Sequence, residues 1–75
     1  MARITKASVK DFFDRQKTNY GEDLSQYSWD ALVFSFLLGM SPRECEGMYP
    51  EDEEIGRLYD QVDGIMSALR REGKL

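Results

Sequence analysis

The ten residues WDALVFSFLL, Trp29–Leu38, constrain the fold more than any other part of this sequence. Ser28 is a good N-cap for a helix, and Asp30 suits the positive end of the helix dipole. Gly39 stands where a left-handed C-terminal cap belongs. A strand of this length would have a similar composition, but the two terminal signals favour a helix. We therefore predict a helix over these ten residues.

This helix would be apolar around its whole circumference, and such a helix needs neighbours on every side. The chain has 75 residues, enough for one small core. Two other helices can hardly surround a third. Either the neighbouring connection and loop cover the remaining face, or side chains such as Trp29 and Phe34 contact another protein. The sequence leaves both alternatives open.

The flanking sequence predicts two more helices. One spans about residues 6–18 and begins at Thr5, with Ser8 as a competing start. The other spans about residues 51–71, begins at Pro50 and the acidic run, and ends at Gly73. The expected fold is therefore all-α: a small three-helix domain with an additional short helical turn, formed by residues 1–75 as a single helical domain.

The additional turn is predicted at about residues 42–47, with Ser41 as its cap and Pro42 at its first position. Gly56 and Gly64 within the last helix require either a close helix approach or a solvent-facing position. The predicted core consists of large apolar side chains at helical spacing: Phe12, Phe13, Trp29, Leu32, Phe36, Leu58, Val62, Ile65 and Leu69.

Residue types needed for common enzyme chemistry are missing. The chain has no His and one Cys, so the usual general base and a thiolate zinc site are absent. Its acidic run lacks the spacing of a calcium loop, and no Gly-rich phosphate loop occurs. We expect no enzyme activity, no cofactor and no metal, and we interpret Cys45 as structural. Without a signal peptide or membrane span, we expect a cytoplasmic protein.

Negative charge is concentrated in residues 43–54 of a chain whose formal net charge is −4. These residues would repel phosphate and attract a basic surface, which argues against direct nucleic-acid binding. The simpler interpretation, an acidic first turn that favours its helix dipole, is preferred but leaves a binding role open. The acidic candidates for partner contact are Glu44, Glu46, Glu51, Asp52, Glu53 and Glu54.

A degenerate helix-turn-helix is one interpretation of FSFLLGMSPRECEG, in which an apolar helix, a turn and a second short helix follow one another. The second helix should then present donors to bases and phosphates. It offers Arg43 beside Glu44 and Glu46, and it ends at Gly47. A short acidic helix is poorly suited to the major groove.

Several segments resemble small tail-assembly chaperones of tailed phages: YGEDL, the Trp29 and Phe34 positions, LLGMSP, and MYPEDEE. The resemblance covers about thirty residues. It departs at Cys45 and Glu46, where the family often has an aromatic pair. The resemblance implies a cytoplasmic assembly factor that binds a tail-tube or tape-measure protein through the apolar central helix.

We therefore predict a non-enzymatic phage or prophage protein-binding factor, most simply a tail-assembly chaperone-like protein. The alternative is an acidic phage-encoded inhibitor of a host nucleic-acid-binding protein, whose carboxylates take the place of phosphates. A protein partner is expected in both cases, and self-association remains open for so small a chain. The proposed contact residues are Trp29, Phe34 and the six acidic candidates.

Overall fold

The computed structural model describes residues 4–75 and contains three α-helices joined by loops with two 3₁₀ turns. Helix α1 spans Lys6–Tyr20, α2 spans Trp29–Leu38 and α3 spans Glu53–Arg71. The 3₁₀ turns lie at Leu24–Gln26 and Pro42–Cys45. No strand occurs among the described residues, so the predicted all-α fold is confirmed.

Local capping explains where α1 and α2 begin and end. Thr5 caps α1 and forms a reciprocal capping box with Ser8, which combines the two competing starts in one motif. Ser28 accepts a hydrogen bond from the Ala31 amide at the start of α2. Gly39 ends α2 with φ 67°, a left-handed conformation that glycine adopts without a Cβ clash. The bounds predicted for α2 are confirmed.

Three predicted boundaries need correction. Helix α1 continues beyond residue 18 to Tyr20, because Gly21 supplies the left-handed cap. Helix α3 begins at Glu53 rather than 51, since the extended Asp52 is its N-cap and accepts from the Ile55 amide. The turn predicted at 42–47 is a shorter 3₁₀ turn, because the backbone becomes extended at Glu46.

The main core lies between all three helices. It consists of fully or almost fully buried side chains: Val9, Phe13, Leu32, Val33, Phe36, Val62, Met66 and Leu69. The predicted core members Phe12, Trp29 and Ile65 are partly buried and pack against it. The prediction for Leu58 is wrong, because its half-buried side chain borders a shallow depression beside Glu54 and Arg57 and joins neither apolar cluster.

A second cluster covers the opposite face of α2. It comprises the buried Ala31, Phe34 and Cys45, with surrounding partly buried side chains that include Met48 and Tyr59. Six consecutive residues of α2, positions 31–36, are buried as a result. The connection between α2 and α3 therefore supplies the cover that an all-round apolar helix requires.

The two glycines inside α3 are not sites of a close helix approach. A Cβ added at Gly56 or at Gly64 would meet no neighbouring atom within 4 Å. Of the two explanations that the sequence allows, a close helix approach and a solvent-facing position, only the second agrees with this geometry.

Candidate protein-binding surface

The predicted acidic contact residues all lie at the surface, on the connection between α2 and α3 and on the first turn of α3. We call the exposed carboxylates of Glu44, Glu46, Glu51, Asp52, Glu53 and Glu54 the acidic surface. Only Glu53 and Glu54 belong to the first helical turn, where the α3 dipole favours negative charge. The helix dipole therefore accounts for part of the acidic segment and not for all of it.

Two of these carboxylates have structural roles. Glu46 accepts a hydrogen bond of 3.0 Å from the Ser28 amide, at the start of α2. Asp52 accepts one of 2.8 Å from the Ile55 amide, at the start of α3. Each satisfies a backbone donor that would otherwise lack a partner at a helix N-terminus.

The other four carboxylates, those of Glu44, Glu51, Glu53 and Glu54, form no ion pair or side-chain hydrogen bond within residues 4–75. Elsewhere the chain does pair its charges, as in the Arg15–Asp11 contact of 3.5 Å and the Lys74–Glu72 contact of 3.4 Å. The acidic surface thus keeps most of its negative charge available to an outside cation.

Tyr49 lies in the chain between Glu46 and Glu51 and adds an exposed ring to the segment that carries the acidic surface. Its side chain is 62% exposed and follows Met48, which packs into the second cluster. An exposed aromatic ring between carboxylates offers both contact area and electrostatic attraction, a combination enriched in protein interfaces. Sequence reasoning did not single out Tyr49, although its place before Pro50, in a segment without helical periodicity, is a usable signal for an exposed ring.

The 3₁₀ turn at Pro42–Cys45, which carries Glu44 of the acidic surface, is attached to the rest of the fold by two contacts. Arg43 lies 3.8 Å from a Glu22 carboxylate oxygen, and the Tyr27 hydroxyl donates to the same carboxylate. Cys45 is fully buried, and its burial, followed by the negative charge of Glu44, raises the pKa of its thiol. The 3₁₀ turn at Pro42–Cys45 is therefore anchored by an ion pair and by a buried side chain.

The two predicted aromatic contact residues occupy different places. Phe34 is only 5% exposed in the second cluster, with its ring 6.0 Å from that of Tyr59. Trp29 is half-buried against α3, where its indole N–H donates to Asp63 at 2.6 Å. Phe34 is therefore not part of the acidic surface, because almost none of its side chain is accessible unless the second cluster opens.

Two further exposed apolar side chains lie at the C-terminal ends of α1 and α2. Tyr20 is 69% exposed and Leu38 is 52% exposed. Tyr20 borders two shallow depressions together with Gly39, and Met40 lines one of them. The sequence indicates that Tyr20 is an apolar anchor of the loop after the first helix, whereas it is the last residue of α1 and is exposed. Neither Tyr20 nor Leu38 was predicted as a contact residue, although the position of Leu38 directly before the Gly39 cap puts it at the helix end.

Residues 4–75 also lack several other kinds of site. They contain no group of three His, Cys, Asp or Glu side chains placed to hold a metal ion. None of their helices has the length and apolar character needed to cross a membrane. The four-residue 3₁₀ turn that follows α2 provides no helix long enough to lie in a major groove. Comparisons with protein-family models, curated proteins and solved structures found no match.

Proposed function

We propose that this chain is a non-enzymatic binding factor that presents its acidic surface, together with the exposed ring of Tyr49, to a basic surface of a partner protein. The observation that carries the proposal is that one segment of the chain exposes four carboxylates without an internal partner and an aromatic ring. Charge complementarity of this kind steers association and excludes unsuitable partners. The exposed ring adds contact area that favours a stable complex.

The partner chemistry that fits best is a groove rich in Lys and Arg, of the type that binds nucleic-acid phosphates. Lysine and arginine side chains bind carboxylates and phosphates through the same charge-assisted hydrogen bonds. An acidic protein in such a groove would compete with nucleic acid. This supports the acidic inhibitor as the first candidate, and the phage origin rests on the sequence resemblance alone.

A tail-assembly chaperone-like role is the second candidate, favoured by the exposed Leu38 and Tyr20. The burial of Phe34 moves a plausible apolar contact from the middle of α2 to its C-terminal end. An apolar contact there would shield a partner's hydrophobic surface, and it would depend little on salt because it involves no charge pairing.

A pull-down from a lysate of the source organism, with identification of the bound protein, separates the candidates. The test variant replaces Glu51, Asp52, Glu53 and Glu54 with their amides, and Asp60→Asn on the exposed face of α3 is a single-charge control. We expect the amide variant to lose partner affinity by more than about tenfold, and the control to bind normally. Wild-type binding should fall as the Debye length shortens from about 10 Å at 0.1 M salt to about 3 Å at 1 M.

The second candidate predicts the opposite pattern. Binding would then survive both high salt and the amide variant, and Leu38→Ser would abolish it. Recovery of DNA without a protein partner would contradict both candidates.

A further inference from the structure

A cleft of about 340 Å³ lies on the side of the molecule where the first 3₁₀ turn meets α2 and the end of α3. Leu24, Leu32 and Leu75 give it apolar walls, and the rings of Tyr27 and Trp29 complete them. Its volume lies at the lower end of the roughly 300–1,000 Å³ range of small-molecule sites. The cleft contains none of the residues of the acidic surface.

A guanidinium group stands at this cleft. Arg70 lines it, and its Cζ atom lies 5.6 Å from the centre of the Trp29 ring, within the range of a cation–π contact. The indole is itself held in place, because its N–H donates to Asp63 at 2.6 Å. This contact with a ring that is itself hydrogen-bonded restricts the guanidinium and so lowers the entropy cost of orienting it toward a ligand.

No neighbouring acidic side chain that the structure describes forms an ion pair with Arg70. Glu72, in the following turn, is paired with Lys6 and Lys74. Asp63 is engaged by the indole N–H and does not line the cleft. Arg70 forms no ion pair with any residue in the 4–75 range. A cation in contact with the Trp29 ring, beside apolar walls and without an ion pair among the described residues, is therefore open to an anion.

We propose that this cleft binds a carboxylate carried on a short apolar group, with Arg70 contacting the carboxylate and the leucine walls covering the apolar part. A planar guanidinium matches a carboxylate through two parallel hydrogen bonds. The exposed hydroxyl of Ser25 also lines the cleft, and it donates to Asp23 at 2.6 Å. The ligand could be a free small acid or the C-terminal residue of a peptide, which present the same chemistry.

Trp29 is the only tryptophan of the chain, so its fluorescence reports on this cleft directly. The probes are N-acetyl-leucine and N-acetyl-leucinamide, which have the same apolar group and differ in the carboxylate. We expect the acid to bind at least about tenfold more tightly than the amide, because only the acid forms the charge-assisted bonds. If hexanoate binds with the same affinity as N-acetyl-leucine, the ligand is a free small acid. If hexanoate binds clearly more weakly, the ligand is a peptide C-terminus.

Variants of the two consecutive arginines provide a matched comparison. Arg70→Gln should remove the preference for the acid, Arg70→Lys should retain part of it, and Arg71→Gln should keep it within about twofold. Circular dichroism checks that each variant is folded. NMR shifts of the indole N–H and of the backbone at residues 24–32 locate the ligand. Three results would overturn the proposal. The wild type could bind acid and amide equally, Arg71→Gln could lose the preference for the acid as fully as Arg70→Gln does, or the NMR shifts could be confined to other residues.

Discussion

The Tyr59 hydroxyl donates a hydrogen bond to the Asp30 carboxylate and so joins the middle of α3 to the first turn of α2. Burial, followed by this hydrogen bond, raises the pKa of Tyr59 well above its usual value. The protonated phenol is therefore the form that the folded chain favours. Its contribution to stability is complete below the unfolded pKa of about 10 and decreases as the pH rises beyond it.

Tyr59→Phe should lower the free energy of unfolding by about 1–2 kcal/mol at pH 7, since the Asp30 carboxylate loses its donor. Above about pH 10 the variant should lose stability less steeply than the wild type, because the raised pKa is gone. Urea unfolding between pH 7 and 11 measures both effects. Tyr20→Phe, at a side chain 69% exposed, is the control and should leave the pH profile unchanged. Equal slopes for wild type and Tyr59→Phe would contradict this prediction.

Replacement of the α3 glycines by alanine should stabilise the protein. Gly64→Ala should raise the free energy of unfolding by about 0.5–1 kcal/mol, because alanine costs less backbone entropy in a helix and meets no neighbour. Gly56→Ala should act in the same direction. Thermal unfolding measures the change.

Gly39→Ala is the contrasting control, because φ 67° is a left-handed conformation. It should destabilise the chain by about 1–2 kcal/mol, the cost of placing a Cβ in that region. A loss of stability in Gly64→Ala would indicate a helix contact at this position.

Truncation of two large apolar residues should have very different consequences. Phe36→Ala removes a ring from the main core and should cost about 3–5 kcal/mol, enough to unfold a domain of this size. Leu58→Ala affects a side chain outside both clusters and should cost less than about 1 kcal/mol. Denaturant unfolding followed by circular dichroism compares them. Similar losses for the two variants would contradict the packing described for α3.

Cys45 should react slowly with a thiol reagent in the folded protein. Its side chain is fully buried, and its raised pKa further lowers the thiolate fraction. Absorbance after addition of a disulfide reagent measures the rate, and the same protein in guanidinium chloride is the control. Because the chain has one cysteine, the native rate reports the opening of the second cluster. A native rate close to the denatured rate would exclude a closed cluster.

Sequence reasoning predicted α2 well because its limits depend on neighbours in the chain. Ser28 and Gly39 cap it through backbone groups a few residues away, and such interactions can be read from sequence. Leu58 has the same periodicity as Val62 and was placed in the core with it. Periodicity alone does not show which side of α3 its neighbours will cover, because that depends on how the whole chain packs.

The candidate site likewise has features that the sequence predicts and features that it does not. The position of the acidic surface was predicted because charge is visible in the sequence. The sequence alone does not predict the burial of Phe34, because that burial depends on the path of the connection that brings Cys45 over α2. The cleft beside Arg70 was not predicted at all, since its walls come from residues as distant in sequence as Leu24 and Leu75.

The burial of six consecutive residues in α2 has a consequence for how this sequence can diverge. Positions 31–36 face packed neighbours on both sides, so accepted substitutions there should be limited to exchanges of similar volume. Adaptation to a new partner would then fall on the acidic connection and on the exposed ends of the helices. In a saturation library selected for folding, positions 31–36 should form an intolerant block, whereas positions 49, 51, 53 and 54 should accept most residue types.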